Sequence, residues 1–425
     1  MSTTCELSPR FFVTPAGDAE ATVLLREAAN IKFTKRVVQF LGHCCQQRSF
    51  RAHHRLLSMI LENEGQRVCE LAWSPSFRRW FQRALKLGSC NDCTPEAAAL
   101  IRELVGLIVD PAGIQPFLAD QQIPLNGGRY SAPDLTWGWQ AMDSSADFVS
   151  VKQVEAFSNK ALTLEDGQSA NVWCNGYGGT ITRFANIAAT TRLTNFDPSL
   201  RVKLTGTNQR TSGVDLEAVA WDDYEDAFDE ARFRGPFEIL LEVWPEEFRD
   251  ICQIVRVVVP MKFRGRTQAF TVSSHQGAIF LTASDPLQMI EMVVHEKAHV
   301  KQRFVDEIWP LLGPNQINKR FAVPWRPDAR PIYGIFEGIY VFLQVATALF
   351  RLHERGRLST LERTRRIVEY VRVGLALVEK NAILTSAGIE FFEGIVDACE
   401  NLSVRLTSLP SFRVGRPSGC ATIKV

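Results

Sequence analysis

His295-Glu296-Lys297-Ala298-His299 places two imidazoles four residues apart, with a carboxylate next to the first. On an α-helix, positions i and i+4 share one face a single turn apart, so both rings can close on one metal ion. The plain alternative is a surface helix that happens to carry two His and one Glu. The surroundings argue for the metal. A strand-like run, Ala278–Leu281, leads toward Asp285-Pro286, a capping acid followed by Pro at the first helical position. Thirty-eight residues after His299 comes a lone acid, Glu337, within Ile332–Phe342, where its neighbours are apolar, aromatic or Gly. A buried carboxylate is costly unless it is paired or binds a metal. That spacing lets a second helix return beside the first, so Glu337 is expected as the third ligand. Its alternative is a pairing with a buried Arg or Tyr.

Two His and one carboxylate suit catalytic zinc, and equally the facial triad of non-haem Fe(II) oxygenases. With zinc, Glu296 is the general base that activates the hydrolytic water. With iron, Glu296 instead orients a ligand or substrate from outside the ligand set. Between the two helices lies Val323-Pro324-Trp325-Arg326-Pro327-Asp328-Ala329-Arg330-Pro331. Its prolines stiffen it, and Arg forks bind carboxylates in bidentate fashion. Arg326 and Arg330 are therefore candidates to anchor the far carboxylate of 2-oxoglutarate; each is also placed to pair with Asp328.

The elements that must position these groups fall into three stretches. Up to about residue 120 the chain reads as helical, with apolar residues at three-four spacing over Ala21–Leu41, Arg51–Leu61 and Phe77–Leu87, and a helix start at Thr94-Pro95-Glu96. From about 121 to 285 Gly, Ser, Thr and Asn rise, and short strands are expected at Phe148–Val151, Ile254–Val259, Phe270–Val272 and Ala278–Leu281. His275-Gln276-Gly277 reads as a turn. Asn175–Gly179 is Gly-rich but lacks the Lys-Ser/Thr of a phosphate loop, and the acids between Asp222 and Glu230 read as a solvated helix face. From 286 onward helices are expected to Trp309, then over Pro331–Gly356, Leu361–Leu377 and Ala387–Leu406. The fold class is α+β and mostly helical: a metal-binding helix pair, a small mixed or antiparallel sheet and a helical N-terminal region.

With 425 residues, 46% of them hydrophobic, there is ample material for a buried core. Charge is balanced, 48 basic against 47 acidic residues, which gives no electrostatic case for nucleic acid or an anionic membrane. The opening residues lack a basic start and apolar run, and charge or Gly interrupts the apolar stretches, so a cytoplasmic location is expected. The ten Cys are scattered and mostly read as buried thiols; Cys90-Asn91-Asp92-Cys93 lacks the second pair that a zinc site needs.

The segment Ala278–Arg351 resembles the H-E-x-x-H domain of peptide-modifying proteins encoded with ribosomally made peptides. The likeness rests on the strand before the helix, HEKAH, Pro310-Leu311-Leu312-Gly313-Pro314, the P-W-R-P-D-x-R-P string and the Gly-containing helix Ile332–Leu343. Thr364-Arg365 and Leu384–Gly388 extend it. It covers the last third of the chain and the middle loosely. What it implies is an Fe(II)/2-oxoglutarate-dependent hydroxylase acting on a side-chain β-carbon in a precursor peptide. His295 and His299 match the family's metal histidines, and Arg326 and Arg330 its Arg-containing loop; Glu337 rests on the burial argument. Many relatives are fused to a radical SAM domain, but this sequence lacks the C-x-x-x-C-x-x-C cluster. It is thus expected to act alone or with a separate peptide-maturation enzyme, the middle and N-terminal segments supplying the peptide groove. The rival expectations are a zinc metallopeptidase and a non-catalytic peptide-binding protein with a structural metal.

Overall fold

The computed structural model describes residues 8–13, 19–43, 58, 71–87, 228–262, 269–314, 316 and 319–409. It also describes residues 191–193 and 200, and short strands between 122 and 187. The expected helices around 51–61 and 94–110, the acidic run 222–227 and Cys90–Cys93 lie outside the described residues, apart from position 58.

Helix α1 (Ala19–His43) buries Ala21, Leu25, Ala29, Phe33, Val37 and Leu41, a stripe at strict i, i+4 spacing. Helix α2 (Pro75–Leu87) inserts Phe77, Trp80 and Phe81. Eight short strands follow: β1 (Gln122–Pro124), β2 (Arg129–Pro133), β3 (Gly138–Asp143), β4 (Phe148–Ser150), β5 (Ser169–Cys174), β6 (Tyr177–Arg183), β7 (Ala185–Asn186) and β8 (Arg192–Leu193). Strands β2-β3-β6-β5 form an antiparallel sheet, and β1 pairs with β4. Of the Gly-rich run, Gly178 and Gly179 lie on β6, which pairs with β5 from Cys174 opposite Tyr177, whereas Asn175-Gly176 lie outside the described residues.

Asp229 caps helix α3 (Glu230–Val243), its carboxylate accepting from the Ala231 N–H at 3.0 Å, and Pro245 opens α4 (Pro245–Ile254). Strand β9 (Val257–Met261) comes next, then β10 (Ala269–Phe270) and β11 (Ala278–Thr282), in a five-stranded mixed sheet ordered β10-β11-β9-β8-β7. The strand expected over Ile254–Val259 therefore starts three residues later. Ile251 and Ile254 lie on the buried face of α4, and a continuous apolar run does not tell the end of a helix from the start of a strand. Gly277 adopts φ 96°, and the turn at His275–Gly277 stands.

Strands β9 and β11 run parallel and are buried along their whole length. Val258, Ile279 and Leu281 join the main core, while Val257, Val259, Ala278 and Phe280 form a smaller cluster with Phe270 and Met261. Burial on both faces is why these strands read as unbroken apolar runs.

Asp285 caps α5 (Pro286–Ile308), accepting from the Gln288 N–H at 3.1 Å. An antiparallel hairpin, β12 (Arg320–Val323) and β13 (Arg326–Pro331), leads into α6 (Ile332–Glu354). The proline-rich stretch expected as a stiff loop is thus a strand; a two-stranded ribbon has outer edges where missing N–H groups do no harm. Helix α6 packs against α5 and against α7 (Leu361–Asn381), and α8 (Ser386–Ser408) closes the helical layer. Mostly helical architecture with a small mixed sheet and a separate hairpin is what the structure shows. One core joins residues from Phe12 to Leu406, drawing on all three stretches of sequence. Among the described residues, α6 is also long and apolar enough to cross a membrane, an exception to the expected absence of such a stretch, and 67% of its apolar window is buried inside the protein.

Candidate metal centre

On α5, residues 291, 295, 299 and 303 recur every four positions and form one stripe. It carries Glu291, His295, His299 and Arg303. The imidazoles meet with 3.2 Å between their Nε2 atoms. Two ring nitrogens so close must share a proton or face a common cation. Burial, then the neighbouring His299, pushes the His295 imidazole down to about 3, so it is neutral at physiological pH and one ring nitrogen keeps a lone pair to donate. Phe342 lies edge-on to His295, at 5.8 Å between ring centroids, and Trp325 meets Phe342 edge-on in turn at 5.5 Å, with Tyr370 beyond. Phe342 is one of the groups that bury the ring.

Glu337 comes from α6, as expected, and reaches the same stripe. Its Oε1 lies 2.7 Å from His299 Nδ1, off the axis of a well-directed hydrogen bond, and 3.7 Å from Arg303 Nη2. The carboxylate therefore meets the nitrogen of His299 opposite the one that faces His295. Among the described residues no three His, Cys, Asp or Glu converge as a metal-binding set. Glu337, expected as the third ligand, thus reaches the pair, but against Nδ1 of His299, the side away from His295. Burial works to raise the Glu337 carboxyl, but the His299 ring and the Arg303 guanidinium overcome it and hold it at about 2.

Glu296 is 5% exposed, and burial raises its carboxyl to about 7 against the opposing pull of His299 and Arg303. Lys297, the middle of the motif, points to the other side. Its Nζ lies 2.7 Å from Glu247 and 2.5 Å from Asp250, both on α4, and Lys301 Nζ is 2.8 Å from the same Asp250. The helix is thus pinned from behind by a buried ionic cluster while its front carries the two imidazoles.

Arg326 and Arg330 both reach Asp328: Arg326 Nε at 2.8 Å and Arg330 Nη1 at 3.4 Å, on opposite carboxylate oxygens. The clasp that the sequence allowed is the one formed. Both still act on the site electrostatically, Arg326 on His295 and Arg330 under the influence of Glu337. Tyr333 borders the cavity beside Glu337, whereas Tyr340 is core, its hydroxyl donating to the Phe12 carbonyl at 3.2 Å.

Sequence reasoning missed Arg303, although H-E-x-x-H-x-x-x-R continues the same four-residue period. It also missed Phe342 and the role of Trp325; Gly338 and Gly374 mark where that indole lies, since a Cβ at either would touch it. No family model matches the chain, and no curated protein matches it.

Proposed function

We propose that this chain is a metal-dependent enzyme in which His295 and His299 hold the metal, and specifically an Fe(II)/2-oxoglutarate-dependent oxygenase. It hydroxylates a side-chain β-carbon in a ribosomally made precursor peptide. The observation that carries the metal reading is the pair of Nε2 atoms 3.2 Å apart with His295 held neutral. Two imidazoles on one helix face supply the nitrogen donors, with Glu337 against Nδ1 of the second. The choice of iron and 2-oxoglutarate rests on the resemblance of the HEKAH and P-W-R-P-D-x-R-P segments.

In this arrangement Glu337 serves His299 rather than the metal: it fixes the ring and raises its basicity as a ligand. Phe342 and Trp325 exclude water from the His295 side. Arg326 and Arg330 would receive the far carboxylate of 2-oxoglutarate by exchanging it for Asp328, a carboxylate 47% exposed and easily displaced. Iron, when bound, supplies the activation of dioxygen.

One observation favours the zinc peptidase as a second reading. A carboxyl raised to about 7 is poised to take a proton from an attacking water at neutral pH. Anaerobic loading with Fe(II), then 2-oxoglutarate and air, with and without peptide, separates the two. Peptide-stimulated succinate release that vanishes in His295→Ala is the expected result. Tightly bound zinc, no succinate, and peptide cleavage lost in Glu296→Gln would make the protein a peptidase.

A further inference from the structure

Beside Glu337 a cavity of about 190 Å³ opens between α5 and α6. Its charged lining is Arg303, Asp306 and Glu337. Arg303 is already engaged: Nη1 donates to Thr271 Oγ1 at 3.3 Å, and Nη2 lies 3.7 Å from Glu337. Arg303 and Glu337 are thus paired with one another. That leaves Asp306, whose Oδ1 accepts from the Leu311 N–H at 2.9 Å and whose side chain stands at the solvent mouth. Outside the cavity, Lys32 acts on Asp306 electrostatically, but it is exposed and donates to the Ile308 carbonyl at 3.2 Å.

A second observation comes from Gln302. It lines the same cavity, is only 7% exposed, and its Oε1 has no hydrogen-bond partner among the described residues. A buried amide oxygen left unpaired in a native structure calls for an explanation, and a donor that enters the cavity is one. An anion would meet two carboxylates for one guanidinium already in use. A group with several N–H donors, no acceptor and a positive charge meets Asp306 and Gln302 Oε1 with complementary chemistry.

We propose that this cavity is a subsite for a primary ammonium group, carried by a lysine side chain or by the amino terminus of a peptide. The subsite itself needs no metal. Only its role, to set a peptide against the imidazole pair through the shared Glu337, rests on the oxygenase reading.

The test uses the full metal-free chain and four small probes, followed by calorimetry and ligand-observed NMR. Nα-acetyl-lysine N-methylamide carries only a side-chain ammonium, and alanine N-methylamide only an amino-terminal one. Nα-acetyl-norleucine N-methylamide is the neutral control, and Nα-acetyl-glutamate N-methylamide the anionic one. The expected result is millimolar binding of one ammonium probe, which identifies the source, and none of the two controls. Asp306→Asn keeps the acceptor for the Leu311 N–H but removes the charge, and should weaken binding by about tenfold or more. Gln302→Leu should weaken it several-fold. Binding of the glutamate probe that disappears in Arg303→Gln overturns the proposal. So does an ammonium affinity indifferent to both variants, or no binding by any probe. Neither metal nor oxygen enters this experiment, so its failure is distinct from failure of the oxygenase reading.

Discussion

At the scale of single residues, the site is governed by which nitrogen or oxygen each group presents. Glu337 faces Nδ1 of His299, so Glu337→Gln should weaken Fe(II) or Zn(II) affinity by about 10–100-fold, the range for an outer partner of a ligand histidine. Metal titration measures this; complete loss of binding would make Glu337 a ligand after all. Glu296 gives a pH prediction for the metal-free protein. Its folded carboxyl titrates near 7, whereas an ordinary Glu titrates near 4.5. Between these values the folded chain keeps a proton that the unfolded chain has lost. The stability this contributes is complete below 4.5 and is lost as pH rises to 7. His295 works in the opposite sense, because its folded pKa is depressed: its contribution is complete above 6.5 and fades as pH falls toward 3. Glu296→Gln should therefore gain roughly 1–3 kcal/mol over wild type at pH 8 and little at pH 4. Urea melts at the two pH values would show it, and an equal shift at both would refute the buried-acid explanation.

At the scale of elements, the site depends on how closely three helices approach. Helices α6 and α7 come together at Gly374, where a Cβ would lie 2.2 Å from Ile339 Cγ2 and 3.2 Å from Trp325 Cη2. In a free helix Gly→Ala gains about 1 kcal/mol from propensity. Here overpacking costs roughly 1–3 kcal/mol, because Ile339 is itself fully buried and has nowhere to move. Gly374→Ala should thus destabilise the protein and, by displacing Trp325, shift its fluorescence; a stabilised variant would mean that α7 is free to slide. Helix α8 is held by a similar approach, since a Cβ at Gly388 would lie 1.9 Å from the Leu311 carbonyl oxygen.

At the scale of the whole molecule, the ionic cluster behind α5 couples the motif to the rest of the fold. Lys297 and Glu247 are fully buried, and Lys301 and Asp250 nearly so. Removing one partner from such a group strands the others without water. Lys297→Met should cost about 3–5 kcal/mol, while replacing Lys297 and Glu247 together with apolar residues should recover part of it. Thermal unfolding of the single and double variants checks this; additive losses would show that the charges act independently. The same cluster explains why a lysine stands within HEKAH: it faces α4, not the imidazole pair.

The sequence alone determined the helix that carries His295 and His299, because a capping Asp, a first-turn Pro and a four-residue period are local signals that no distant contact needs to complete. It also determined that α6 would be apolar and would bring Glu337 back to the pair. It left the Arg-rich string open between anchor and ion pair, and tertiary structure decided for a hairpin whose Asp328 clasps both guanidinium groups. Only tertiary structure decided that Glu337 meets the outer nitrogen of His299, that Lys297 joins residues about fifty positions earlier, and that Arg303 and Gln302 border a cavity. Periodicity assigns a residue to a face of its helix. Which atom it meets there depends on the rotation and depth at which neighbouring helices pack, and those are set by side chains far apart in the chain.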